Sequence, residues 1–164
     1  MQITSFRDMY VAELQELADL EDQLCASLQR MAGAAVHSTL KRVLMHQCEE
    51  AQGQKKRLEA MLQRHGADPK AHTDQAMQAL IRETEKMLKI LKGSDLRDAG
   101  LIASVQRLKH YEIAAYGTAA ALAGQLNLRD DQRTLHTSLE EEKQADLALS
   151  DLAKAEVNQD AVPA

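Results

Sequence analysis

Tryptophan is missing from this chain, and aromatic residues together make up only 2% of its 164 positions, one Phe and three Tyr. A β-sandwich of this length needs many more aromatic and β-branched residues on its sheets, so that class is excluded. Proline occurs twice and glycine seven times, so helix breakers are scarce. There is no excess of positive charge. The formal net charge is −5, which argues against a nucleic-acid partner. The basic run Lys55, Lys56, Arg57 reads as a solvated helix face. No apolar run approaches the ~18 residues a membrane span needs. The opening residues, MQITSFRDMY, carry neither the basic nor the apolar region of a signal peptide. The two cysteines, Cys25 and Cys48, form no CxxC pair. They read as reduced thiols at packed positions, and a cytoplasmic protein is expected. No nucleophile elbow, phosphate-binding glycine loop or HExxH motif is present, so hydrolase, nucleotide-binding and zinc-protease readings have no support.

What is present is Ala, Leu, Glu, Gln, Lys and Arg, all good helix formers. The pattern predicts an all-α protein. A first helix spans about 5–31, capped by Ser5 with Asp8 three residues on and ended near Gly33. A second spans 38–65, with Gly66 as its C-terminal cap. Pro69 interrupts the chain. A shorter helix follows at about 74–91, capped by Thr73 and ended by Gly93. Two further long helices span about 94–125 and 130–157. Residues 1–157 then form one domain, and 158–164 a frayed tail. Each long pair is joined by a short loop and makes an antiparallel hairpin. The middle connection is long enough to cross the length of a bundle. This is a four-helix bundle with one long crossover carrying a short fifth helix, the connectivity of ferritin-like folds.

Residues placed at about 100° per position show which side of each helix is apolar. Phe6, Tyr10, Leu17, Leu24 and Leu28 mark the first, with Glu21 inside the stripe and Glu13 near it. Leu40, Leu44, Ala51, Leu58 and Leu62 mark the second, with Glu50 at the margin and Gln47 and Gln54 well inside. Leu101, Val105, Leu108, Tyr116 and Ala119 mark the third long helix, with Glu112 near the centre. Leu135, Leu139, Leu149 and Ala153 mark the last, with Glu142 and Asp146 inside and Glu140 and Glu141 at the edge or outside. Glu21 and Glu50 are 29 positions apart, Glu112 and Glu142 are 30, so the two hairpins place their polar groups at one level. Four unpaired carboxylates in a core would be very costly. Neighbouring carboxylates lower that cost by keeping protons, and cations lower it further. Carboxylate oxygens suit Mn, Fe(II), Mg or Ca. The competing reading is that these Glu sit at helix margins and reach water or pair with Lys and Arg.

The strings CEEAQGQKKRLE, HYEIAAYGT and LEEEKQADLALSDLA resemble the bacterial YciE/YciF stress-protein family of the ferritin-like superfamily. The resemblance covers nearly the whole chain. It implies a rubrerythrin-like bundle, a homodimer, and a di-metal site of two Fe or Mn ions. Its candidate ligands are Glu21, Glu50, Glu112 and Glu142, with Gln54 and Asp146 where ferritin-like proteins often place histidines. Gln47 stands where relatives carry a histidine. None of the six histidines takes an expected ligand position. His110 points about 160° away from Glu112 and is expected to contact the short helix or a second protomer. Tyr10 and Tyr116 are expected to be buried with satisfied hydroxyls. The small residues of AAYGTAAALAG, with Gly53 and Gly117, are expected to mark tight contact with the short helix or another subunit.

Two functions compete. The first is a di-metal oxidoreductase or peroxide-handling protein, with Glu50 and Glu142 bridging, Glu21 and Glu112 capping, and an external electron donor. The second is a non-catalytic structural or interaction protein whose polar core is a relic or a structural ion site. Iron storage in a cage is a third reading, which the small dimeric family disfavours.

Overall fold

The structure is a computed structural model, and it describes residues 2–162. Every element among them is helical. Helix α1 spans Phe6–Ala34, α2 Ser38–Arg64, α3 Gln75–Ile90, α4 Ser94–Gln125 and α5 Arg129–Leu152. A π-helical turn, Ala153–Val157, leads into a last short helix, α6, Asn158–Ala161.

The expected start of α1 holds. Ser5 Oγ accepts from the Asp8 amide, and the Asp8 carboxylate accepts from the Ser5 amide in return. Its end differs: the helix runs through Gly33 and stops only where Ala35 turns extended. Gly66 caps α2 with a positive φ of 66°. The cap of α3 is Asp74, one residue after the expected Thr73, accepting from the Met77 amide at 2.8 Å. Gly93, with φ 91°, is the residue before α4 and not the stop of α3. Residues 158–161, expected to be part of a frayed tail, continue as helix through the π turn, Val157 is buried, and residues 163–164 of the expected tail lie outside the described residues.

The two hairpins, α1–α2 and α4–α5, pack along their lengths, and α3 lies against α4 and α1. Long-range hydrogen bonds fix their directions. At one end, Asp131 at the start of α5 accepts from Tyr10 Oη of α1 at 2.9 Å, Arg64 of α2 at 2.5 Å and His65 at 2.7 Å. At the other end, Asp98 at the start of α4 accepts from the Val36 amide at 3.0 Å and the His37 amide at 2.6 Å. The segment from His65 to Asp98 therefore travels from one end of the bundle to the other, with α3 as the crossover. Asp74, at the head of α3, also accepts from Tyr111 Oη of α4 at 2.9 Å. Asp131, Asp98 and Asp74 are all buried. Each satisfies donors that a helix end or loop would otherwise leave without partners.

The apolar stripes are the expected ones, with one correction. Phe6, in the first turn of α1, is exposed. Within the chain the small-residue expectation of a tight contact holds at Gly124, the last residue of that run, and not at Gly53 or Gly117. A Cβ at Gly53 or Gly117 would meet nothing within 4 Å. The close approaches are at Gly100, where it would fall 2.2 Å from Leu91, and Gly124, where it would fall 2.6 Å from Gln132.

The cysteines are a further correction. Cys25 and Cys48 are joined as a disulfide between α1 and α2, with Cα atoms 4.6 Å apart. They lie nearly equidistant from the connection at residues 35–37, so the hairpin brings them to one level.

Replacing Asp131 by Ala strips the acceptor from three donors on two other segments. The expected loss is about 2–4 kcal/mol of stability, measured by urea unfolding against wild type.

Candidate functional site

Midway along the bundle, the inward faces of α1, α2, α4 and α5 carry polar side chains in place of Leu. Glu21, Gln47, Gln54, Lys109, Glu112 and Glu142 are all at most 2% exposed. Apolar neighbours one turn away keep water out: Leu17 and Leu24 around Glu21, Leu58 after Gln54, Leu108 before Glu112.

Lys109 holds the centre. Its Nζ donates to Glu142 Oε2 at 2.6 Å and stands 3.0 Å from Glu112 Oε2. Burial works against its charge, but Glu112, Glu142 and Glu21 more than offset this and hold its pKa above the ordinary lysine value. Gln54 Nε2 donates to the other oxygen of Glu142 at 2.6 Å and to Glu141 at 3.0 Å. Glu141 is in turn gripped by Arg57. On the opposite side, Tyr116 Oη donates to Glu21 Oε1.

This network leaves several acceptors without donors. Glu21 Oε2, both oxygens of Glu112 and Gln54 Oε1 have no hydrogen-bond partner. Lys109 lies at ion-pair distance from Glu112 but off hydrogen-bond alignment. Burial, with repulsion from Glu142 added, raises the Glu112 pKa well above the ordinary carboxylate value. Burial likewise pushes Glu21 up to about 8, against the pull of Lys109 and the Tyr116 hydroxyl. At neutral pH Glu21 keeps its proton, and the one direct ion-pair hydrogen bond in the cluster is from Lys109 to Glu142.

Three of the four inward carboxylates expected from the sequence are thus together: Glu21, Glu112 and Glu142. Glu50 is not with them. Its side chain is 29% exposed and turns to His46 on its own helix, Oε2 to Nδ1 3.4 Å. Gln54 is inside, as expected. Asp146 lies at the margin, accepting from Gln106 at 3.2 Å and facing His110 at 3.4 Å. His110 therefore contacts α5, not the short helix, because its outward direction meets the adjoining edge of the α4–α5 hairpin. Among the described residues, no three of His, Cys, Asp and Glu converge on one metal-sized position. Tyr10 and Tyr116 are buried with their hydroxyls bonded, as expected. Sequence reasoning missed Lys109. A signal existed: it precedes Glu112 by three positions and so shares its face.

This arrangement sits on a chain with clear relatives. Residues 5–162 match the family model described as a domain of unknown function, DUF892. The chain belongs to that family. It is 35% identical to protein YciF of Escherichia coli over 98% of either chain. The crystal structure of that E. coli stress protein superposes with a TM-score of 0.90 at 34% identity, covering 95% of this chain and 99% of YciF. YcfI of Rhodopseudomonas palustris, provisionally described as a structural protein, superposes at 0.88 with 32% identity, covering 91% and 95%. The helical bundle and its membership of the YciF family are therefore established for this chain. No helix among its described residues is long and apolar enough to cross a membrane.

Breaking the central pair should be costly. Lys109→Met leaves Glu142 buried without its cation and should lose about 3–5 kcal/mol, and Glu142→Gln added to it should restore much of that. A double-mutant cycle by chemical denaturation reads both. Stability should also fall with rising pH in metal-free protein. Glu21 binds its proton more tightly folded (about 8) than unfolded (4.5), so its contribution is complete below 4.5 and is lost as pH climbs through about 8. Thermal midpoints across that range, compared with Glu21→Gln, test the sign.

Proposed function

We propose that this DUF892 protein is a ferritin-like stress-response protein whose buried core takes up a hard divalent cation, iron or manganese. The observation that carries this reading is the set of buried oxygens without donors: Glu21 Oε2, both oxygens of Glu112, and Gln54 Oε1. Such a set suits Fe(II), Mn(II) or another oxygen-preferring ion. Its charge favours one ion over the two expected from the resemblance. Glu21, Glu112 and Glu142, fully ionised, carry three negative charges and Lys109 one positive, which leaves two for a single divalent cation to neutralise. Lys109 then stands in place of a second metal.

Glu21, Glu112 and Gln54 would hold the ion, with Glu142 shared between it and Lys109. Glu50 and Asp146, at the margin, would serve as outer acceptors. The chemistry such an ion supplies is electron exchange with dioxygen or a peroxide. This chain's own residues do the rest. Glu21 and Glu112 release their protons as the cation arrives, Tyr116 orients Glu21, and the leucines around them keep water out. Electrons come from an external donor, since the two cysteines form no CxxC centre. We carry over from the relatives the stress setting, and from the resemblance the homodimer and the cytoplasmic location. Exposed Met45 on α2 and Leu147 on α5 are apolar surface that a second copy would cover.

A second reading is favoured by Lys109 itself. An ammonium already bonded to Glu142 gives the core an internal counter-ion, as in a structural or interaction protein with no metal chemistry.

Elemental analysis after anaerobic loading with Fe(II) or Mn(II) separates the two. The proposal expects about one ion per chain, lost in Glu112→Ala and Glu142→Ala, with uptake releasing protons to an unbuffered solution. Lys109→Met should bind metal at least as well. No metal in wild type, or metal unchanged in both alanine variants, would establish the second reading.

A further inference from the structure

Cys25 and Cys48 take no part in the polar core, yet Cys25 lies one turn from Glu21 on α1. Cys25, but not Cys48, lines a cavity of about 390 Å³ between α1 and α2. Gln29, Gln52 and Lys56 also line it and are exposed, so the cavity opens a route from outside to the Cys25 sulfur. Two side-chain amides point at the sulfurs, one from each helix. Gln52 Nε2 is 3.4 Å from Cys25 Sγ, and Gln29 Nε2 is 3.6 Å from Cys48 Sγ. Sulfur is a weak acceptor as a thiol or disulfide and a strong one as a thiolate, so these donors favour the thiolate form.

A crosslink here is also an unusual brace. α1 and α2 already pack side by side and join through residues 35–37. The Cα separation of 4.6 Å lies within the range that a disulfide bridges.

We propose that Cys25 and Cys48 form a thiol–disulfide exchange couple that reacts, in this cavity, with a low-molecular-weight thiol. Cys25 is the sulfur attacked, being 9% exposed where Cys48 is 2% exposed. In reduction, an incoming thiolate bonds to Cys25 Sγ and the protein S–S bond breaks. Its electron pair leaves on Cys48 Sγ, where the Gln29 amide receives the charge. A second thiolate attacks the mixed disulfide, releasing the small disulfide and the Cys25 thiolate, which Gln52 holds. The two protein thiolates take up the protons lost by the two small thiols. Oxidation is the reverse, with the small disulfide as oxidant. The proposal is independent of the cation reading of the core.

The test uses the full chain, purified without reductant and equilibrated in glutathione buffers of graded redox ratio. Samples are quenched with acid, alkylated and weighed intact, with circular dichroism run in parallel. The alkylatable thiols should go from none to both and back, with helicity unchanged. Cys48→Ser should carry one glutathione on Cys25, and Cys25→Ser should acquire it on Cys48 about tenfold more slowly or less. Gln52→Ala should slow exchange at Cys25. A pair that stays oxidised at the reducing end, or opens only as helicity is lost, would show a purely structural bond and overturn the proposal. So would a folded dithiol that glutathione disulfide never oxidises, or equal glutathionylation of the two serine variants.

Discussion

One buried ammonium organises the middle of this protein. Lys109 on α4 bonds Glu142 on α5 and stands beside Glu112, and through Glu142 it is linked to Gln54 on α2. Without a positive charge at that point, three acidic side chains on three helices would face one another in an apolar core. With it, one carboxylate is paired, two are free to keep protons, and the helices can close over them. The cluster is the reason the bundle tolerates a polar layer at all.

The same economy of charge appears at the ends of the bundle. Asp131 gathers Tyr10, Arg64 and His65, and Asp98 gathers the amides of the α1–α2 turn. Burial opposes the charge of Asp131, but its donors together hold its pKa below the usual aspartate value. These end networks tie loops to helix starts. The central one differs in leaving oxygens without donors, and a layer that is only partly satisfied is where binding chemistry is sought. A purely structural polar layer would be expected to pair its carboxylate oxygens, as Asp131 and Asp98 do at the two ends.

The disulfide stands apart from both. It lies on the α1–α2 side, where the cavity reaches the same Glu21 that faces the core. Cys25 and the carboxylate of Glu21 lie one turn apart on the same side of α1 and line the same cavity. Chemistry at the surface and charge in the core are thus mechanically close, although neither depends on the other for its geometry.

The sequence by itself determined the all-α class, the order of long and short helices, the crossover and the inward direction of Glu21, Glu112, Glu142 and Gln54. Helical periodicity is a local property, and these groups lie near the centres of apolar stripes, where small errors in phase do not change the face. The tertiary structure alone decided the rest. Glu50 and Asp146 lie at stripe margins, where a choice of rotamer sends the side chain to His46 or to Gln106 and His110. Lys109 could have reached solvent, and only the carboxylates brought in from α5 and α4 make the interior the better place for its charge. Cys25 and Cys48 became partners because the hairpin sets them level, a relation between two helices that neither helix carries alone.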